Sequence, residues 1–208
     1  MPKISIITPW LNASELTSTY RPSVRGAEVI VIDNGSEQAH ADIIRGMAEQ
    51  LEGVYIRNKH NAGFSAANNQ GLAVATGDIV VFMNNDVECQ TGWLQKVIRD
   101  VGAGEIVGPS MLSKHGVKYL EGYCIAARRD VWQALGGWPE DLPGMYWEDN
   151  ILCLRAVDAG YTLKQAAGWG VWHFNNYTSR KTPGAYDHSA ANERVFLDMI
   201  HAHYNRGK

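Results

Sequence analysis

Four short runs dominated by Val and Ile, Ile4 to Thr8, Glu28 to Ile32, Val54 to Arg57 and Ile79 to Met83, are spaced by segments that read as helices near Gln38 to Leu51 and Ser65 to Ala75. Strand and helix alternating at this spacing predict a parallel sheet joined by right-handed crossovers. The runs are apolar at nearly every position rather than at every second one, so both faces of the sheet are expected to be covered. The class predicted is α/β, a three-layer sandwich with a mostly parallel central sheet. Further on, helices are expected at Gly92 to Val101, Arg128 to Leu135, Asp149 to Ala159 and Ala190 to His203, with a short strand near Ile106. The Gly- and Pro-containing stretch from Gly108 to Gly122 reads as irregular.

With 208 residues, 45% of them hydrophobic, and a formal net charge of -3, the chain can bury a core without disulfides or structural metal. Mild acidity and only scattered basic pairs, Arg128-Arg129 and Arg180-Lys181, argue against a nucleic-acid partner. Cys89, Cys124 and Cys153 are odd in number and form no CxxC pair, which reads as reduced thiols in the cytoplasm. The start of the sequence does not read as a secretory signal, and no window approaches the roughly 18 apolar residues of a membrane span.

In a parallel sheet the carboxyl ends of the strands share one edge, where open α/β folds bind ligands. Each early strand here ends in polar or turn-forming residues: Thr8-Pro9-Trp10-Leu11-Asn12, Asp33-Asn34-Gly35-Ser36, Asn61-Ala62-Gly63-Phe64 and Asn84-Asn85-Asp86. Asp33 is able to accept a hydrogen bond from a base imide. It also suits an ordinary strand-to-helix turn capped by Ser36. Asp86, followed by Glu88, suits Mg²⁺ or Mn²⁺ shared with a diphosphate. Asn and Asp also simply turn the chain after a strand. The GxGxxG loop of many dinucleotide enzymes is absent.

Together the order and spacing of these pieces, with Asn61-Ala62-Gly63-Phe64-Ser65-Ala66-Ala67-Asn68-Asn69-Gln70-Gly71, Gly136-Gly137-Trp138, Tyr146-Trp147-Glu148-Asp149 and Ala159-Gly160-Tyr161, resemble the family 2 inverting glycosyltransferases, in particular the rhamnosyltransferase-like branch. The resemblance covers nearly the whole chain. It implies a GT-A (Rossmann-like) fold in a single domain over residues 1–208, with a nucleotide-sugar-binding half at 1–88 and an acceptor-binding and catalytic half at 89–208. The donor implied is a UDP- or dTDP-sugar, the acceptor a hydroxyl of a glycan or glycolipid in polysaccharide biosynthesis, and the cofactor Mn²⁺ or Mg²⁺.

Carried over by position, the resemblance sets Pro9, Asp33 and Asn61 around the base and ribose, with Gly63, Asn85 and Asp86 also on the donor side. Asn85 and Asp86 take the last two places of an Asp-x-Asp metal motif whose first place is Asn84, so one carboxylate is missing. His173 takes the place of a metal-binding histidine, although a histidine among aromatics is otherwise a common core residue.

The chemistry asks for the same groups independently. An acceptor hydroxyl attacking an oxocarbenium-like sugar needs a carboxylate to take its proton. Glu148 and Asp149 can supply it, and by similarity Asp149 is the base with Glu148 supporting it. Acidic residues in a first helical turn also serve as capping groups and dipole partners, at about 0.3–1 kcal/mol each. Tyr146 and Trp147 just before them offer aromatic faces to an acceptor sugar, while Trp169 and Trp172 read as packing. The polar stretch Asn175 to Gly184 reads as a lid, with Arg180 or Lys181 meeting the diphosphate, or as a plain surface loop. Two other classes fit less of the pattern: a non-catalytic nucleotide-sugar or glycan binding module, and a nucleotidyltransferase. The chain also reads as one domain of a larger protein.

Overall fold

The computed structural model describes residues 1–142, 145–174, 184 and 186–205, with residues 204 and 205 described by backbone alone. The predicted 175–184 lid, including Arg180 and Lys181, lies outside the described residues apart from Gly184.

In chain order the strands are β1 (Ile4–Trp10), β2 (Glu28–Asp33), β3 (Val54–Arg57), β4 (Ile79–Met83), β5 (Val87–Cys89), β6 (Glu105–Gly108), β7 (Met111–Lys114), β8 (Val117–Leu120), β9 (Cys124–Arg128), β10 (Thr162–Gln165) and β11 (Val171–His173). The helices are α1 (Thr17–Ser23), α2 (Gln38–Gln50), α3 (Phe64–Val74), α4 (Trp93–Asp100), α5 (Arg129–Leu135), α6 (Glu148–Asp158) and α7 (Ser189–Asn205). Seven strands form the central sheet in the order β10-β6-β9-β4-β1-β2-β3, and all run the same way except β9, which pairs antiparallel with both β4 and β6.

Successive side chains of a strand point to opposite faces, and the Val/Ile runs fill both. Ile4, Ile6, Val29, Val31, Val81 and Met83 pack on one side against Tyr20, Ile44, Met47 and Val97 from α1, α2 and α4. Ile7, Ile30, Ile32, Val80 and Phe82 pack on the other against Ala67, Val131, Trp132, Leu152 and Ala156 from α3, α5 and α6. Each fully buried Ile or Val contributes about 1.5–3 kcal/mol relative to leaving it in water, which explains why these runs, and not the edge strand β3, carry the core. Gly71 lets α3 lie directly on β1, since a Cβ there would run into the Ile7 side chain.

Several elements depart from the expectation. The stretch read as irregular holds the antiparallel hairpin β7–β8, closed by His115 and Gly116, both at positive φ (50° and 80°). Two positive-φ residues give the turn whose twist matches a hairpin, but His-Gly is a weaker signal than Asn-Gly or Asp-Gly. β9 was also missed: Ala126 and Ala127 are poor strand formers by propensity, yet their small side chains fit the fully buried centre between β4 and β6. Ser36 does not cap α2, which starts after Glu37 without a side-chain cap; its hydroxyl receives the Asn12 N–H at 2.8 Å. Trp172, read as packing, is half exposed on the outer side of β11, whereas Trp169 is buried and donates to Asp100 at 2.9 Å.

Candidate active site

The parallel strands β1, β2 and β4 stop at one edge, and there a cavity of about 490 Å³ opens, closed on its far side by Tyr119 to Tyr123 and the start of α6. One wall is made of strand ends and their turns. Pro9, Asn61, Gly63, Asn85 and Asp86 all line it. Gly63 holds a backbone (φ 89°, ψ 165°) open essentially to glycine alone, and it caps α3, whose first residue, Phe64, also lines the cavity.

Asn34, not singled out from the sequence, ties this wall together. Its side-chain Nδ2 donates to Asn61 Oδ1 at 2.7 Å and to the Gly63 carbonyl at 3.1 Å, and its Oδ1 accepts from Asn58 Nδ2 at 3.0 Å and the Ala62 N–H at 2.9 Å. Asp33 stands apart from the other donor-side residues. It is fully buried beside the cavity rather than on its wall, accepting from the Ser36 N–H at 2.9 Å and the Tyr55 hydroxyl at 2.6 Å, with Arg57 Nε at 3.4 Å.

His173 reaches the same wall from far along the chain. β11 pairs antiparallel with β5, His173 opposite Val87, and the Phe174 N–H donates to the Asp86 carbonyl at 2.9 Å. His173 Nε2 therefore lies 3.0 Å from Asp86 Oδ1, and Tyr123 stacks on the imidazole at 4.5 Å between centroids. Among the described residues no group of three or more His, Cys, Asp or Glu side chains converges on one point. A nearly buried carboxylate–imidazole pair is a small donor set, and it fits an ion that takes its remaining oxygen ligands from a bound diphosphate.

The opposite wall is irregular. Tyr146 and Trp147 occupy the left-handed region at φ 77° and 76°, rare for bulky residues and a form of stored strain found at functional sites. α6 begins immediately afterwards, with Glu148 and Asp149 in its first turn, and all four residues line the cavity. Asp149 accepts from the Gly122 N–H at 3.0 Å and the Asn150 N–H at 2.8 Å. Gly122 has to be glycine or nearly so, because a Cβ there would sit 3.0 Å from the Trp138 ring and 3.2 Å from Asp149 Cβ.

Burial pushes the Asp149 carboxyl up to about 6, against the pull of these N–H groups, and the charge of Glu121 adds to the rise. Burial likewise raises Glu148 to about 7, with the neighbouring Asp149 contributing. Two carboxyls titrating near neutrality in one cavity mark a place for proton transfer. The same wall carries Lys114 and Glu121, neither of which the sequence reading picked out. Both stand on or beside the unrecognised hairpin, so recognising its turn was the step needed to find them.

Residues 5–133 match the family described as glycosyl transferase family 2. The pre-mycofactocin glycosyltransferase of Mycobacterium tuberculosis is 26% identical over 193 residues, covering 77% of this chain and 40% of the relative. The mannosyltransferase PcManGT from Pyrobaculum calidifontis, solved with GDP-Man and Mn²⁺, superposes with a TM-score of 0.65 at 20% identity over 79% of this chain and 54% of that one. S. aureus TarS 1-349 in complex with UDP gives 0.62 at 17% identity over 80% of this chain and 58% of that one. The chain spans less than half the length of the first curated relatives it matches.

Proposed function

The chain belongs to glycosyl transferase family 2 and has the GT-A fold, and on that premise we propose that it transfers a sugar from a UDP- or dTDP-sugar to a hydroxyl of a glycan or glycolipid, with inversion at the anomeric carbon. The observation that carries the reading is the pairing of two walls across one cavity: Asp86 against His173 at the strand ends, and Asp149 on the Gly122 N–H at the start of α6.

Asp86 and His173 would hold Mn²⁺ or Mg²⁺, which when bound offsets the charge left on the diphosphate. Pro9, Asn61, Gly63 and Asn85 form the donor side of the cavity in this reading, and Asp33 supports the base end from beneath the turn. The acceptor hydroxyl lies against Asp149, whose carboxylate takes the proton as the oxygen bonds to the anomeric carbon. The bond to the diphosphate breaks in the same displacement, and its electron pair leaves with the nucleoside diphosphate.

Glu148, which burial and the neighbouring Asp149 keep protonated up to about 7, supports the base from the same helical turn. Tyr146 and Trp147 offer aromatic faces to an acceptor sugar. The division of labour follows the chain except at His173: residues 1–88 serve the donor and 89–208 the acceptor and the chemistry, with His173 returning to the donor wall. Free Cys89, Cys124 and Cys153 support a reducing, cytoplasmic setting. Among the described residues no helix is long and apolar enough to cross a membrane.

The test is release of nucleoside diphosphate from a panel of UDP-, dTDP- and GDP-sugars with Mn²⁺, Mg²⁺ or EDTA, comparing the unaltered protein with Asp86→Ala and Asp149→Asn. Metal-dependent release from one donor, lost in both variants, is the expected result. Tight donor binding without release, with simple glycosides supplied as acceptors, replaces the transferase by a binding module.

A further inference from the structure

The catalytic carboxylates are held by a backbone that does not hold itself. α6 has Trp147 as its N-cap, in the left-handed region and without a side-chain cap, and Tyr146 before it is left-handed too. Such residues are strained and persist only where their surroundings over-determine them. Tyr186 stacks on Tyr146 at 4.6 Å and Lys114 lies over the Trp147 ring, and one stripe of α7 supplies the hydrogen bonds. Asn192, fully buried, donates from Nδ2 to the Tyr146 carbonyl at 3.0 Å. Ser189 Oγ accepts the Trp147 indole N–H at 3.1 Å, and Phe196 packs against the Trp147 ring at 5.4 Å. Glu193 pairs with His115 at 2.8 Å, and His115 stacks nearly parallel to Trp147 while also meeting Phe196 at 6.5 Å.

Positions 189, 192, 193 and 196 follow the i, i+3, i+4, i+7 spacing of a single helical face. α7 stands beyond the stretch matched to the family, 5–133.

We infer that α7 is a positioning element for the reaction, and that Asn192 is its principal positioning residue: by holding the Tyr146 carbonyl it fixes the left-handed Tyr146-Trp147 pair and thereby the direction in which Asp149 meets the acceptor. Asn192 touches no substrate. It acts through the backbone that leads into α6, while the donor wall, built on other elements, is independent of it. The inference rests on the reading of Asp149 as the base.

The experiment compares Asn192→Leu, which keeps the bulk and removes the amide, with Ser189→Ala and the double variant. Misplacing a catalytic group by about 1 Å costs up to about 100-fold, so kcat is expected to fall about tenfold or more in Asn192→Leu while the donor KM stays within about twofold. Loss of the clamp lets water reach Asp149, so the acidic limb of the kcat profile moves down toward the ordinary carboxylate range. The double variant is expected to lose less than the product of the single losses, because both bonds hold one pair of residues.

An unchanged kcat and pH limb in Asn192→Leu overturns the inference. Should that variant lose donor binding through misfolding, Ser189→Ala decides: a lowered kcat at constant donor KM supports the clamp, and an unchanged kcat overturns it. Retained turnover in Asp149→Asn overturns instead the base assignment, which separates the two failures.

Discussion

The two walls of the cavity are built by opposite strategies. On the donor side, side chains stand at the ends of buried parallel strands, and the turns that follow are closed by a local amide network around Asn34. On the acceptor side, they stand on a hairpin, a left-handed aromatic pair and the first turn of a helix, secured by partners far away in sequence: Asn192 is 46 residues from Tyr146, and Glu193 is 78 residues from His115. The first wall is rigid because the sheet is. The second leans on α7, so in the proposed reading the positioning of the base is expected to be alterable without altering donor binding.

The largest expected effect tests that separation directly. Removing a general base costs about 10²–10⁴-fold, so Asp149→Asn should nearly abolish turnover while nucleotide binding, measured by calorimetry, is retained. His173→Ala should come next. Loss of one of two side-chain ligands is expected to raise the metal concentration for half-maximal activity by roughly tenfold or more, read from a Mn²⁺ titration. Asn34→Ala acts on the other wall: a buried group left without its partner costs about 1–3 kcal/mol, so the donor KM should rise about five- to 150-fold at nearly constant kcat. If Asn34→Ala lowers kcat alone, the walls are not independent.

The smallest effect is one of stability. Glu148 and Asp149 have folded-state values above their ordinary ones, so the folded protein binds more protons than the unfolded chain near neutrality. Their contribution is fully present below the ordinary carboxylate range, near pH 4, and is lost as pH rises to about 7. Glu148→Gln removes the buried charge and is expected to stabilise the protein by about 1–2 kcal/mol at pH 8 and by little at pH 4, measured by denaturant unfolding. With Asp149 as the base, activity is expected to follow the opposite trend, rising with pH through about 6 as Asp149 ionises, read from a kcat–pH profile.

What could be read in the sequence divides along the same line as the walls. The strands announce themselves because Val and Ile at consecutive positions suit burial on both faces, and the turns after them announce themselves through Asn, Asp and Gly. Asp86 and His173 are legible only through resemblance; what joins them at 3.0 Å is the short β5–β11 ribbon, too brief to leave a periodic signal. Lys114 and Glu121 stayed hidden because His115-Gly116 is an uncommon hairpin turn. β9 stayed hidden because two alanines fit a crowded sheet centre for reasons of volume that only the neighbouring strands define. No local pattern marks Asn192, since its role depends on the carbonyl of a residue in another element.

The reversed direction of β9 has a consequence for how such a cavity diversifies. β6 ends, and β9 begins, at the same edge of the sheet, so the hairpin between them hangs over the cavity with both of its stems anchored in the core. Residues 109–121 join two fixed strands, so the wall next to Asp149 can change in length or charge without disturbing the register of β4 against β9 or the position of Asp86, provided two contacts are kept: Leu120, fully buried against Cys153 of α6, and His115, stacked on Trp147. In the proposed reading, acceptor preference is expected to vary through the remaining hairpin positions rather than through the core.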